Sequence, residues 1–226
     1  FAAMTGELKT VPGTLEDPDA GYRSRFDRKD EVAEPGYYRV LLKDYDVTAE
    51  LTATKRVGFH KYTFPKSDSA YVIFDVGNEL GESGDVKDAF VSFDNENNTI
   101  EGWVITYPKY VQTYQPGAEV KMYFSGVVNK EPVALGTFQN DEQFVNERSR
   151  QGKGVGVYLQ FKTTDHEAVE VKAGFSYTSL KNARANLQAE AGFLNFDEAK
   201  EQAQGVWARE LGKIEVTASS RENKNR

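Results

Sequence analysis

Apolar and polar residues alternate with a period of two along most of the chain, the pattern of strands with one dry face and one wet face. The clearest run is 46–54, where Val47, Ala49, Leu51 and Ala53 interleave with Asp46, Thr48, Glu50, Thr52 and Thr54. Upstream, Pro35-Gly36 signals a turn, because proline fixes φ and glycine tolerates φ > 0. The strand after it sets Tyr38, Val40 and Leu42 on one face and Tyr37, Arg39, Leu41 and Lys43 on the other, which predicts partial burial of both. Residues 56–64 stay extended, with Val57 and Phe59 opposite Arg56, His60 and Tyr62, until Pro65 closes the run. The apolar stretch Ala70–Val76 fits a strand buried on both faces.

Further strands are predicted at 86–93, 99–107, 119–128, 133–138, 155–161 and 168–177. Residues 1–20 and 77–85 carry turn and loop signals, and the polar stretch 139–153 reads as a loop. About ten strands at these spacings predict a mainly β fold, an antiparallel β-sandwich. The period then changes. Ser179 can cap a helix running to about Ala191, with Leu180, Ala183 and Leu187 on one stripe. Asn195 and Glu198 form a capping-box pattern ahead of a second stripe, Ala199, Ala203, Val206, Trp207 and Leu211, which ends at Gly212. Trp207 is expected to be buried helix packing. The predicted organisation is a β-sandwich at 1–178, two C-terminal α-helices as a linker at 179–212, and a tail at 213–226 without core residues.

At 226 residues the chain can bury roughly 70% of its unfolded surface, so it needs no covalent staples. It has no cysteine, which removes thiol chemistry, disulfides and cysteine-ligated zinc. Its two histidines, His60 and His166, stand in no zinc-ligand spacing. The net charge of −7 and the lack of a Lys/Arg cluster argue against nucleic acid. No apolar run approaches the ~18 residues of a membrane span.

Two blocks of sequence carry a family resemblance. The first is Gly21-Tyr22-Arg23-Ser24, Glu31-Val32-Ala33-Glu34-Pro35-Gly36-Tyr37-Tyr38, Glu50-Leu51-Thr52-Ala53-Thr54 and Arg56-Val57-Gly58-Phe59-His60 through Tyr62-Thr63-Phe64-Pro65. The second is Ser176-Tyr177 and Asn182-Ala183-Arg184-Ala185-Asn186-Leu187 through Trp207. The chain resembles the N-terminal domain of glycoside hydrolase family 92, calcium-dependent exo-acting α-mannosidases. The resemblance implies a sandwich of the supersandwich type, incomplete at its N-terminus, followed by a C-terminal α/α barrel. In that arrangement both catalytic carboxylates and most calcium ligands lie in the barrel, so no catalytic residue and no calcium are expected in this chain. It implies α-mannoside glycans as ligands of the full enzyme and a periplasmic or extracellular location. The family often has His where Arg28 stands here.

Inverting glycoside hydrolysis needs two carboxyl groups about 6.5–9.5 Å apart, and with 35 acids no pair stands out. Asp94, Glu96 and Asn98 start like a calcium loop, but Thr99 replaces its glycine and Ile105 its glutamate. Glu50, Arg56 and His60 would share a polar face if no bulge intervenes, as a salt-bridged surface or a contact for sugar or a partner domain. Glu31 braces the motif turn or meets ligand. Trp103 is core or a platform for a sugar ring. Glu31, His60 and Trp103 are the substrate-binding candidates, and Asn182, Arg184 and Asn186 are expected to fix the first helix against the sheet or the barrel. The rival function is a free-standing carbohydrate-binding module; a sandwich that binds other proteins is the third.

Overall fold

The computed structural model describes residues 1–14, 16–79 and 83–214. Leu15, three residues of the 77–85 loop and nearly all of the predicted tail lie outside them. The strands are β1 (Ala2–Thr5), β2 (Val32–Glu34), β3 (Tyr37–Leu42), β4 (Val47–Ala53), β5 (Val57–Phe64), β6 (Ser67–Asp75) and β7 (Asp85–Asp94). After β8 (Thr99–Tyr107) comes a short helix, α1 (Lys109–Tyr114), then β9 (Val120–Val128), β10 (Ala134–Gln139), β11 (Glu142–Val145) and β12 (Ser149–Gln151). The chain continues through β13 (Val155–Thr163), β14 (Glu167–Ser176), α2 (Leu180–Ala191) and α3 (Phe196–Leu211).

The strands form two antiparallel sheets, ordered β1-β6-β13-β10-β11 and β12-β7-β8-β9-β14-β5-β4-β3-β2. Their inner faces meet in one core. Val47, Phe64, Val91, Ile100, Val169 and Val171 of the large sheet face Val72, Phe74, Val157 and Phe161 of the small one. Helices α2 and α3 cover part of the outer face of the large sheet. There Tyr37, Val57 and Phe59 pack with Ala191, Phe196 and Ala199 in a second apolar layer. Each fully buried Phe or Val contributes about 1.5–3 kcal/mol. This second layer is why β3 and β5 are apolar on both sides.

Several segments depart from the sequence pattern, each for a tertiary reason. Residues 139–153 are not a loop but include edge strands β11 and β12. They hold because Arg150 lies over the Phe144 ring at 3.3 Å and its Nε donates to Thr137 Oγ1 at 3.1 Å. The first residues form β1, since Ala3 and Met4 are buried against β6. Register also separates the trio Glu50, Arg56 and His60. Glu50 pairs with Lys61 and Leu51 with His60, so Glu50 faces the helices while His60, Tyr62 and Phe64 face the core. Trp207 is half exposed rather than buried: α3 packs through Phe196, Ala199 and Ala203, and its C-terminal half is left uncovered.

The caps read from sequence are formed. Ser179 accepts from the Asn182 amide, and Asn195 and Glu198 make a reciprocal capping box. Helix α2 is fastened by the Arg184–Glu101 ion pair, whose Nε–Oε1 contact is 2.6 Å, and by Asn186 Nδ2 donating to the Phe175 carbonyl at 2.7 Å. Glu190, near its C-terminal end, accepts from Thr54 Oγ1 at 2.7 Å and from the Arg56 amide and Nε at 2.9 and 2.5 Å. Helix α3 rests on the Pro35-Gly36 turn.

Two tests follow from these fastenings. Gly36 has φ +82°, and a Cβ there would meet the Ala203 carbonyl carbon at 2.9 Å. Gly6 has φ +87° with open space around it. Gly6→Ala is expected to lose only the left-handed backbone term, about 1–2 kcal/mol, and Gly36→Ala about 1–3 kcal/mol more through overpacking. Equal losses in urea unfolding would show that α3 does not press on the turn. Burial raises the Glu190 pKa, but the hydrogen bonds from Thr54 and Arg56 outweigh it and hold the carboxyl below its ordinary value. The stability it supplies is therefore present above the unfolded glutamate pKa of about 4.3 and is lost as pH falls through the native one. Glu190→Gln is expected to cost about 1–2 kcal/mol at pH 7, with the gap to wild type closing in acid. A loss that stays the same in acid would exclude the charge as the fastening.

Candidate functional site

The two sequence blocks singled out above lie far apart in the chain and meet at one end of the large sheet. The 53–56 turn between β4 and β5 projects there beside the end of β14 and the first turns of α2. Phe175 donates its amide to the Arg56 carbonyl at 3.0 Å, which ties the blocks together. The turn separates two grooves of about 790 Å³ each, and Ala53, Thr54 and Lys55 line both.

The groove on the β14 side is polar at its walls. Val57, Gly58 and Phe175 line it together with Arg56, Ser176, Tyr177, Thr178, Asn182 and Asn186. The Thr178 amide donates to Ser176 Oγ at 3.1 Å, and Asn182 Nδ2 donates to Thr178 Oγ1 at 2.7 Å. Arg56 is paired with Glu190, so its charge is largely neutralised. Among the described residues, no carboxylate lines this groove. Its amides and hydroxyls can hold a hydroxyl-rich ligand.

The groove on the α3 side has an apolar wall, with Thr54, Lys55, Glu190 and Gln202 at its polar edge. Phe193, 94% exposed, lies with Leu194, Ala203, Val206 and the half-exposed Trp207 along the joint between α2 and α3. Such a surface suits protein docking better than polyol binding. A third pocket, of about 400 Å³, holds Glu101, Ser125 and Arg184 beside Asp94. Arg184 holds the Glu101 carboxyl below its ordinary pKa. Asp94 accepts from Asn97 and the Glu96 amide in its own turn. Both acids are committed to structure.

The structure does not bring Glu31, His60 and Trp103 together. Glu31 lies just before β2 and accepts from the Tyr38 hydroxyl at 2.7 Å. His60 packs between Phe1 and Tyr62, with its Nδ1 3.1 Å from the Tyr62 hydroxyl. Burial holds the pKa of its imidazole far below the ordinary value, so it is neutral at physiological pH. Trp103 stands on the outer face of β8, paired through Tyr123 with Ser176. Two strand spacings, about 10 Å, therefore separate it from the polar groove. Lys121 Nζ sits 3.9 Å above its ring. The groove residues Tyr177 and Thr178 were not singled out in advance as ligand contacts, although Ser176-Tyr177 lay in a matching block. Among the described residues, no three His, Asp or Glu side chains converge as metal ligands.

Comparison with known proteins agrees with this geometry. The sequence model of the glycosyl hydrolase family 92 N-terminal domain matches residues 1–176. Among solved structures, the family 92 α-mannosidase BT3965 of Bacteroides thetaiotaomicron in complex with mannoimidazole superposes with a TM-score of 0.85 at 33% identity. The alignment covers 96% of this chain and 28% of that one. A family 92 glycosyl hydrolase, ccman5, shares the fold with a TM-score of 0.78 at 23% identity, over 96% of this chain and 28% of its own. So does the inverting mannosidase BT2199 of Bacteroides thetaiotaomicron VPI-5482, with a TM-score of 0.78 at 19% identity over 97% and 27%. This chain thus spans less than a third of the length of these enzymes. No curated protein matches it. With the family's N-terminal domain matched from residue 1 to the end of β14, and its sheets and helices superposed on a family α-mannosidase, the chain belongs to glycosyl hydrolase family 92.

Proposed function

We propose that this chain serves as the non-catalytic N-terminal domain of an exo-acting α-mannosidase, where it supports a catalytic α/α barrel and lines the cleft that holds the terminal mannose. The observation that carries this reading is the apolar groove of Phe193, Val206 and Trp207, continued by the exposed Leu211. Contiguous apolar surface of this kind marks a docking face. The α-mannosidase it resembles is more than three times as long, and a catalytic domain of that further length is the proposed occupant.

Chemistry points the same way. Among the described residues no carboxylate lines the polar groove; Arg184 holds the Glu101 pKa below its ordinary value, and hydrogen bonds from Thr54 and Arg56 outweigh burial to do the same for Glu190. A general acid needs a raised pKa instead. Asp75, whose pKa burial raises, has both carboxylate oxygens bonded to Tyr22 and Asn78 at the end of β6, so the family reading assigns the acid and base of the reaction to the barrel. Calcium takes six to eight oxygen ligands, and the described residues offer no converging acidic set. They do not fit the ion, which is assigned to the barrel as well. Trp103, half-buried between Phe90 and Lys121 on the outer face, is proposed as a sugar contact through its exposed edge; Glu31 and His60 would act by bracing the strands beside them. A periplasmic or extracellular location accompanies the family reading. Among the described residues, no helix is long and apolar enough to cross a membrane.

Purified chain is expected to release no mannose from an aryl α-mannoside or mannobiose, with or without calcium. It is also expected to self-associate in sedimentation velocity, and Trp207→Glu to restore the monomer. Turnover by the pure chain, or a wild-type chain that stays monomeric at high concentration, would overturn the reading.

A further inference from the structure

We propose that the polar groove between the 53–56 turn and the start of α2 is a binding site for one neutral pyranose, with Tyr177 as its stacking face and Asn182, Asn186 and Arg56 as its hydrogen-bonding groups. This deepens the glycan-processing reading above and rests on it for the choice of a mannoside, whereas the site itself rests on local geometry.

The walls carry hydrogen-bonding capacity that the fold does not consume. Asn182 and Asn186 each spend Nδ2, on Thr178 Oγ1 and on the Phe175 carbonyl. Their Oδ1 atoms accept nothing among the described residues. The two lie one helical turn apart on α2, so they face the same side, and their committed donors fix the amide orientation. Arg56 spends its amide and Nε on Glu190, which holds the guanidinium at the rim with its terminal nitrogens unspent. Sugar hydroxyls can donate to the two amide oxygens and accept from the arginine at once.

Tyr177 supplies the apolar half of the recognition. Its ring is 71% exposed although the backbone on either side is pinned, by the Ser176–Thr178 bond and by the Ser179 cap. An aromatic ring held out on a rigid segment offers a flat apolar face with a polar tip. Val57 and Phe175 provide an apolar floor. The volume of about 790 Å³ falls in the range of small-molecule sites, about 300–1,000 Å³.

Charge narrows the ligand class. Among the described residues lining the groove, Arg56 is compensated by Glu190, no carboxylate is present, and Lys55 is left as an uncompensated charge at the edge. Among the described residues, no His, Asp or Glu cluster faces a metal ion there. A neutral polyol suits the set, and a phosphorylated sugar would gain one surface cation only.

Ligand-observed saturation-transfer NMR of the full chain with methyl α-mannopyranoside tests the assignment, because it reads weak binding whether or not the chain associates. Transfer is expected at a dissociation constant on the order of 1 mM. Tyr177→Ala and Asn182→Ala are each expected to weaken it about five-fold, Tyr177→Phe to keep most of it, and Trp207→Glu, in the other groove, to leave it unchanged. Far-UV circular dichroism checks that each variant keeps its fold. Absence of transfer, indifference to the Tyr177 and Asn182 changes, loss with Trp207→Glu, or tighter binding of mannose 6-phosphate would each overturn the proposal. If the chain proved monomeric or active while the mannoside still bound through Tyr177, the pyranose site would stand and the supporting-domain reading would fall.

Discussion

Burial of the large sheet on both sides is the constraint on which the rest of the structure depends. A sandwich sheet ordinarily needs one dry face, and the strands of its wet face can be polar. Here β3 and β5 are committed on both. Val40, Tyr62 and Phe64 close the core against the small sheet, while Tyr37, Val57 and Phe59 require α2 and α3 above them. The helices are therefore a third layer of the same body. Removing them would uncover a buried apolar face in the middle of the sheet.

That layer also accounts for the site. Because α2 must lie flat on β14 and β9, it approaches the sheet closely where Gly174 stands; a Cβ there would meet the Ala183 carbonyl oxygen at 2.7 Å. The approach lets Asn186 reach the Phe175 carbonyl and Glu190 reach the 53–56 turn. The turn, fixed by those bonds, becomes the ridge between two grooves. Packing thus sets the geometry of the polar groups, and the same residues that fasten the helix leave one side of their hydrogen-bonding capacity free.

Most of the fold was legible in the sequence wherever local pattern and tertiary demand agree. The alternation at 46–54, the double-sided run 70–76 and the caps Ser179 and Asn195 all appear where their chemistry places them. Edge strands were not legible. β11 and β12 have polar outward faces and are held by Arg150, a contact that no periodicity reports. The polarity of His60 likewise misled, since parity along β5 puts it on the face of Tyr62 and Phe64, and an imidazole in that place is kept neutral by burial. The candidate site was legible only as two separated blocks of sequence. Their meeting depends on β14 lying next to β5, a pairing between residues more than a hundred positions apart that composition and spacing do not encode.

The contrast between the grooves on the two sides of one turn bears on how such a domain acts. On one side an exposed Phe193 and the uncovered half of α3 make a surface whose free energy falls when another apolar body covers it. On the other, amides, hydroxyls and an ion-paired arginine ring an apolar floor, so whatever covers it must meet their hydrogen bonds as well as exclude water. A partner domain seated on the first would bring its own groups to the rim of the second, since Thr54 and Lys55 border both. Glu190 fixes the height of that rim from beneath. Docking and ligand recognition are then coupled through a single fastened turn: whatever loosens the Glu190 bonds should disturb both surfaces together, whereas changes confined to Trp207 or Tyr177 should disturb only one.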